Sequence, residues 1–194
     1  MREQAAWPLV DEVTHTPREA LDARLPELRQ LSSATGTLEL IVVRPTEDAR
    51  ETPATAELTT EDGLVGDRWR STRTLVLPDG SPDPDNQLTL MSSHMLGLIA
   101  TRDRWPVAGD NLVVELGLDA ETLPAGSRLA IGSEAVVEIT EEPHTGCAKF
   151  SARFGSDALK FVNSPEGRAL RLRGINARVV TPGRISAGDA IRRL

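Results

Sequence analysis

The residues best suited to chemistry sit together in one short segment, Glu141-Glu142-Pro143-His144-Thr145-Gly146-Cys147-Ala148-Lys149-Phe150. Cys147 is the one cysteine of the chain. A strand is expected to end near Thr140, Pro143 blocks its extension, and a helix is expected to begin just after Cys147. The thiol then lies at a helix N-terminus, where partial positive charge favours the thiolate. His144 and Lys149 are close in sequence and can add to that effect. Such a thiolate can ligate a soft metal, carry a persulfide sulfur, or attack an electrophile. Gly146 would let the backbone come close to a ligand. The competing reading is that Cys147 only fills core volume, as free cysteines often do. Pro, His, Gly and Lys beside it mark a loop, where function concentrates.

Other patterns are weaker. Gly63-Leu64-Val65-Gly66-Asp67-Arg68-Trp69 has two glycines three apart, without the spacing of a dinucleotide site. It reads as strand, turn, strand with a structural Asp67–Arg68 pair. CxxC, HExxH, P-loop and GxSxG patterns do not occur, which leaves zinc sites, nucleotide hydrolases and serine hydrolases unsupported. A Cys–His hydrolase stays open and needs one of three histidines brought to Cys147; His15 has no visible partner in the sequence.

Charge adds a second lead. The net charge of −7 argues against nucleic acid or an anionic membrane as partner. From Cys147 to Leu194, however, ten Lys or Arg face three Asp or Glu, a net of +7, while the remainder carries twelve against twenty-six, a net of −14. Both lysines, Lys149 and Lys160, fall in that basic part. It reads either as a solvated face or as a site for a small anion such as phosphate.

These residues need a scaffold. A chain of 194 residues, 39% apolar and 26% charged, matches a soluble domain with one core. There is no apolar run of spanning length and no secretory signal, and a lone cysteine suits a reducing compartment, so a cytoplasmic setting is expected. Residues 1–35 read as a helical extension ahead of a main domain over 36–194. Thr16-Pro17-Arg18-Glu19 is a capping box, and Leu21, Leu25 and Leu28 form one apolar stripe. Pro26 predicts a kink or two short helices, Thr35-Gly36 should stop the segment, and its role is packing on the main domain or on a second subunit.

From Thr37 the periodicity changes. Strands are expected at 37–44, 54–59, 87–91, 111–114, 128–131, 135–140 and 175–180. Ser92 should cap a helix carrying Met95, Leu96, Leu98 and Ile99, and two more helices are expected over 148–154 and 157–162. Ala108-Gly109-Asp110, Ala125-Gly126-Ser127 and Ala187-Gly188-Asp189 each read as a tight turn feeding a strand. Asp79–Asn86 is a polar, proline-rich loop expected near a pocket mouth. Many short strands joined by tight turns give the fold class: mostly β with peripheral helices (α+β), a barrel or sandwich.

In their order these segments resemble the MOSC family, named for the C-terminal part of molybdenum cofactor sulfurases. The resemblance runs from about Thr37 to Leu194. It rests on Gly63–Trp69, Gln87–Leu96 (QLTLMSSHML), Ala108–Val113, Leu123–Gly132, the strand leading to Cys147, Arg173–Val180, and Gly183–Ile191. It implies a MOSC-type β-barrel in a family also associated with pyridoxal phosphate proteins. Its cysteine either carries sulfur or ligates the molybdenum of a molybdopterin cofactor. By the same resemblance Ser92, Ser93 and Asn111 would hold the pterin and its phosphate. Two departures stand out. Pro143 lies three residues before Cys147 where the family has Pro-Cys. Gly109-Asp110 stands where cofactor-binding relatives have an arginine before the Asn. Losing that arginine removes a bidentate phosphate partner, for which Lys149, Arg153 or Arg173 would have to compensate.

Three functions follow as expectations. The first is sulfur transfer or molybdenum-centred reduction, for instance of N-hydroxylated compounds, with Cys147 as metal ligand or carrier and His144 and Lys149 beside it. The second is a non-catalytic module binding a pterin or other small anion. The third is Cys–His acyl transfer. A redox role calls for a separate redox or sulfur-donor protein, since no ferredoxin or flavin motif is recognisable. Homo-oligomerisation is left open.

Overall fold

The computed structural model describes residues 15–72 and 75–194. Seven strands close into a barrel in the order β1 (Thr35–Ile41), β10 (Ala190–Arg193), β6 (Arg128–Ile131), β7 (Ala135–Ile139), β8 (Ile175–Thr181), β4 (Leu88–Ser92), β5 (Leu112–Val114) and back to β1. Every pairing is antiparallel except β4 with β5. That parallel pair needs a crossover, which α4 (Ser93–Ile99) and a 3-10 helix at Arg102–Ala108 supply. A second sheet, β3 (Gly63–Leu64), β2 (Thr55–Thr59) and β9 (Gly183–Ser186), lies beside the barrel.

Alternation along the strands fills the barrel. Leu129 and Ile131 of β6, Val137 and Ile139 of β7, and Ala177 and Val179 of β8 all point into one apolar core with Leu38, Leu90 and Leu112. A second apolar cluster sits outside, where helices cover the barrel wall. Met91 and Val113 from the strands meet Met95 and Leu96 of α4, Phe150 and Phe154 of α5 (Ala148–Phe154), and Phe161 of α6 (Ser156–Val162). Leu21 of α1 (Arg18–Asp22) and Leu25 and Leu28 of α2 (Leu25–Leu28) complete it, so the N-terminal stripe packs against the same helices. Two short helices form there, as Pro26 predicts.

Several local expectations are corrected. The Thr16 hydroxyl donates to the Leu98 carbonyl, 2.7 Å away, so no capping box forms and Pro17 occupies the cap position. Thr35 opens β1 instead of stopping a helix, because Thr35–Thr37 pair with β10. After β3 the chain turns into a short helix, α3 (Trp69–Thr72), instead of a second strand. The turn Ala187–Asp189 does feed a strand, β10, whereas β9 and the helix α7 (Pro165–Ala169) are elements the pattern did not mark. The three recurring turns do carry glycines at positive φ, Gly109 at 84°, Gly126 at 84° and Gly188 at 96°.

Candidate functional site

β7 ends at Ile139, and residues 140–146 lead to Cys147, which occupies the N-cap position of α5. Gly146 is clamped to the end of α6: its N–H donates to Asn163 Oδ1 and its carbonyl accepts from Asn163 Nδ2, both at 3.0 Å. A side chain at 146 would collide with Leu159, so glycine serves close packing on α6 here and not approach to a ligand. Phe150 and Phe154 anchor α5 inward, with ring centroids 5.0 Å apart. The opposite consequence holds for Cys147, which is exposed to solvent.

Cys147 opens onto a cavity of about 140 Å³ whose wall is rich in cations: Arg44, Arg50, Arg68, Lys149, Arg153 and Arg173. Four of these have carboxylate partners. Arg44 pairs with Asp67, Lys149 with Glu47, Arg153 with Asp48 and Arg173 with Asp110. Arg50 and Arg68 form no ion pair among the described residues. Among the described residues Arg50 Nε is buried without a hydrogen-bond partner, and so is Arg173 Nε. Burial, then the neighbouring Arg153 and Arg44, lower the Arg50 pKa, and the opposing pull of Asp48 does not offset them. Arg50 and Arg153 also converge on Gly109. A Cβ there would stand 3.3 Å from Arg50 Nη2 and 3.5 Å from Arg153 Nη1. Several guanidinium groups lining one cavity suit an oxyanion, which can accept several charge-assisted hydrogen bonds at once.

Behind this wall lies a buried triad. One nitrogen of Arg173, Nη1, donates to both oxygens of Asp110 at 2.8 Å, and His144 Nε2 is 2.8 Å from Asp110 Oδ1. Burial by itself would raise the Asp110 pKa, but Arg173 and His144 outweigh it and bring the carboxyl down to about 2. Burial, then Arg173, pushes the His144 imidazole below its ordinary value, against the pull of Asp110. The guanidinium of Arg173 also stacks over Phe150, 5.0 Å from the ring centroid.

The residues expected from the sequence divide into groups. Cys147, Lys149, Arg153 and Arg173 share one cavity. His144 does not line it; it borders two neighbouring cavities of about 270 and 310 Å³, and its Nε2 is committed to Asp110. Asn111 is fully buried and fully used. Its Oδ1 accepts from Arg44 Nη2 and from the Thr89 amide and hydroxyl, and its Nδ2 donates to Asp67 and to the Val42 carbonyl. Ser92 lies at the α4 cap position but makes no capping bond. Its buried hydroxyl has no partner and lines a separate small cavity with Leu28 and Met95. Ser93, the first residue of α4, is buried and absent from the wall of the Cys147 cavity.

Arg44, Arg50 and Arg68 are the functional candidates that the sequence reading missed. Arg44 donates to the Gly109 carbonyl, to Asn111 and, through two nitrogens, to Asp67. Asp67 therefore pairs with Arg44 and not with Arg68. The one available signal was the arginine ending the strand expected over 37–44, Arg44 before Pro45; β1 itself ends at Ile41.

A family model described as the MOSC domain matches residues 81–192, more than half of the chain. The chain belongs to the MOSC domain family. Solved structures agree on the MOSC fold. The YuaD protein from Bacillus subtilis aligns with a TM-score of 0.61 at 19% identity, covering 84% of this chain and 98% of that one. YiiM from Geobacillus stearothermophilus aligns at 0.51 with 14% identity, over 84% and 75% of the two chains. YiiM from Escherichia coli aligns at 0.50 with 18% identity, over 81% and 69%. No curated protein matches the sequence. Among the described residues of this MOSC chain, no helix is long and apolar enough to cross a membrane.

Proposed function

We propose that this MOSC domain holds a phosphate-bearing molybdenum cofactor in the Cys147 cavity, with the thiol as metal ligand or as sulfur carrier. One observation carries the reading: an exposed thiol shares a cavity with six cationic side chains, two of which keep a buried Nε without a partner among the described residues. That donor set fits the group. Arg50, Arg68 and Arg153 would take the phosphate, Lys149 would give a mobile point charge at the rim, and Arg173 is tied to Asp110 with its Nε still unused. Among the described residues no three His, Cys, Asp or Glu side chains cluster to hold a metal, so molybdenum at Cys147 would draw its other ligands from the pterin.

When bound, the cofactor supplies two-electron redox chemistry or accepts the sulfur that the thiol carries. The protein binds and orients it through guanidinium donors, and Cys147 presents its sulfur from the α5 cap. Reduction of N-hydroxylated compounds and sulfur transfer are the two uses that fit this arrangement. Either draws on a separate donor protein, and a cytoplasmic setting would keep Cys147 reduced.

A second reading, a module that binds a small anion without turnover, is favoured by one fact: Arg50 and Arg153 converge at Gly109 independently of Cys147. Calorimetry with inorganic phosphate tests the anion site that both share. Saturable binding that weakens about tenfold or more in Arg50→Met is expected from losing one charge-assisted contact. Equal binding in wild type and variant contradicts the site.

A further inference from the structure

Two pieces of chain face each other across the Cys147 cavity. The loop 44–50 supplies Arg44, Asp48 and Arg50, and α5 supplies Lys149 and Arg153 next to the thiol. The loop is pinned at its base, where Val43 and Glu51 exchange two backbone hydrogen bonds of 2.9 Å. Its first residue is held as well, since the Arg44 amide and guanidinium both donate to Asp67. Further along, Asp48 adopts φ 59°, in the left-handed region that Asp and Asn tolerate better than most residues.

Two adjacent carboxylates of this loop reach across to α5. Glu47 Oε1 accepts from Lys149 Nζ at 2.7 Å, and Asp48 Oδ1 lies 3.4 Å from Arg153 Nη2. Lys149 and Arg153 are one helical turn apart and so lie on one face of α5. Exposure decides which ion pairs of the cavity wall can open. Arg44 and Arg173 hold carboxylates that are 1% exposed, and breaking such a pair strands a buried charge. Glu47 and Asp48 are 65% and 74% exposed. A pair of that kind changes an equilibrium constant by about fivefold at most. The contact at Arg153 is also long for a charge-assisted hydrogen bond.

We propose that Glu47 and Asp48 are resident counter-anions of the Cys147 cavity, an autoinhibitory contact that an entering oxyanion displaces from Lys149 and Arg153. The loop keeps its base and releases its two carboxylates to water. A phosphate group carries up to about two charges and several acceptor oxygens, so it can engage both α5 cations at once. This rests on the anion reading of the same cavity and adds its regulation: the protein's own carboxylates hold occupancy down until a ligand offers these cations more.

The test is calorimetry with inorganic phosphate on the full chain, wild type beside Glu47→Gln and Asp48→Asn. Asparagine suits the left-handed backbone at 48, and both sites are on the surface, so the fold is kept. Each substitution should tighten phosphate binding about threefold. A carboxylate acting only through its long-range field would do the same, so double-mutant cycles decide. Lys149→Met should weaken phosphate about threefold more in the Glu47→Gln background than in wild type, and Arg153→Met likewise in Asp48→Asn. Additive effects, or unchanged affinity in the carboxylate variants, overturn the proposal and leave the anion site standing. Binding that appears only once the carboxylates are neutralised supports it. Absence of phosphate binding in every one of these proteins overturns the proposal and the anion reading together.

Discussion

Arg173 donates a single guanidinium nitrogen to both carboxylate oxygens of Asp110, each 2.8 Å away, and the two side chains are 9% and 1% exposed. A buried pair of this kind adds little net stability when whole, because desolvation opposes the attraction, but removing one partner strands the other charge. Arg173→Met should therefore cost about 3–5 kcal/mol in urea unfolding. A loss below about 1 kcal/mol, the scale of an exposed pair, would contradict the buried arrangement.

Acid should weaken the fold in two stages, with the same sign. The Asp110 pKa falls from an ordinary 3.8 to about 2. Its contribution is present above 3.8 and is lost as pH falls toward 2, about 2 kcal/mol in all. The His144 pKa is also lowered, from 6.5. Below that pH the unfolded chain takes up a proton that the folded chain refuses, so stability drops as pH falls below 6.5. Urea midpoints from pH 7 to pH 2 check this, and His144→Gln should lack the upper stage. A wild type that gains stability relative to the variant between pH 7 and pH 5 has the opposite sign and refutes the assignment.

The cationic wall should be visible in the chemistry of the thiol. Iodoacetate is anionic and iodoacetamide neutral, so their rate ratio at Cys147 measures the local field without reference to protonation. In low salt that ratio should exceed the ratio for free cysteine about tenfold and should fall in Arg50→Met and Arg153→Met and on adding salt. A ratio equal to that of free cysteine would mean that the cations do not act at the sulfur.

Asn111 gives a discriminating test between scaffold and ligand roles. Its amide joins Arg44, Asp67, Thr89 and the Val42 carbonyl, so Asn111→Ala leaves several buried groups unpaired and should cost about 1–3 kcal/mol or more in unfolding free energy. Little change in stability together with lost phosphate affinity would instead return Asn111 to the binding side.

The sequence revealed the fold better than the site. Strands such as Arg128–Ile131 and the helix Ala148–Phe154 were legible to the residue, since periodicity and flanking turns are local signals. The thiol at the start of α5 was legible for the same reason. The cation cavity was not. Its cations Arg44, Arg50 and Arg68 come from the acidic part of the sequence and meet Lys149, Arg153 and Arg173 only once the barrel closes. A charge count along the chain cannot register that. Asp67 misled in a similar way: its sequence neighbour is Arg68, but the partner is Arg44, twenty-three residues away. As ligand-holding residues Ser92 and Ser93 were carried by resemblance alone; neither lines the Cys147 cavity, and Ser92 lines a separate one.

The most direct measurement is the molybdenum and labile sulfur content of protein purified without oxidant, wild type beside Cys147→Ser. A Cys147-anchored cofactor or persulfide predicts near-stoichiometric molybdenum or sulfur in the wild type and loss of it in the variant, with the fold unchanged. Equal contents in both proteins, whether high or near zero, would contradict it.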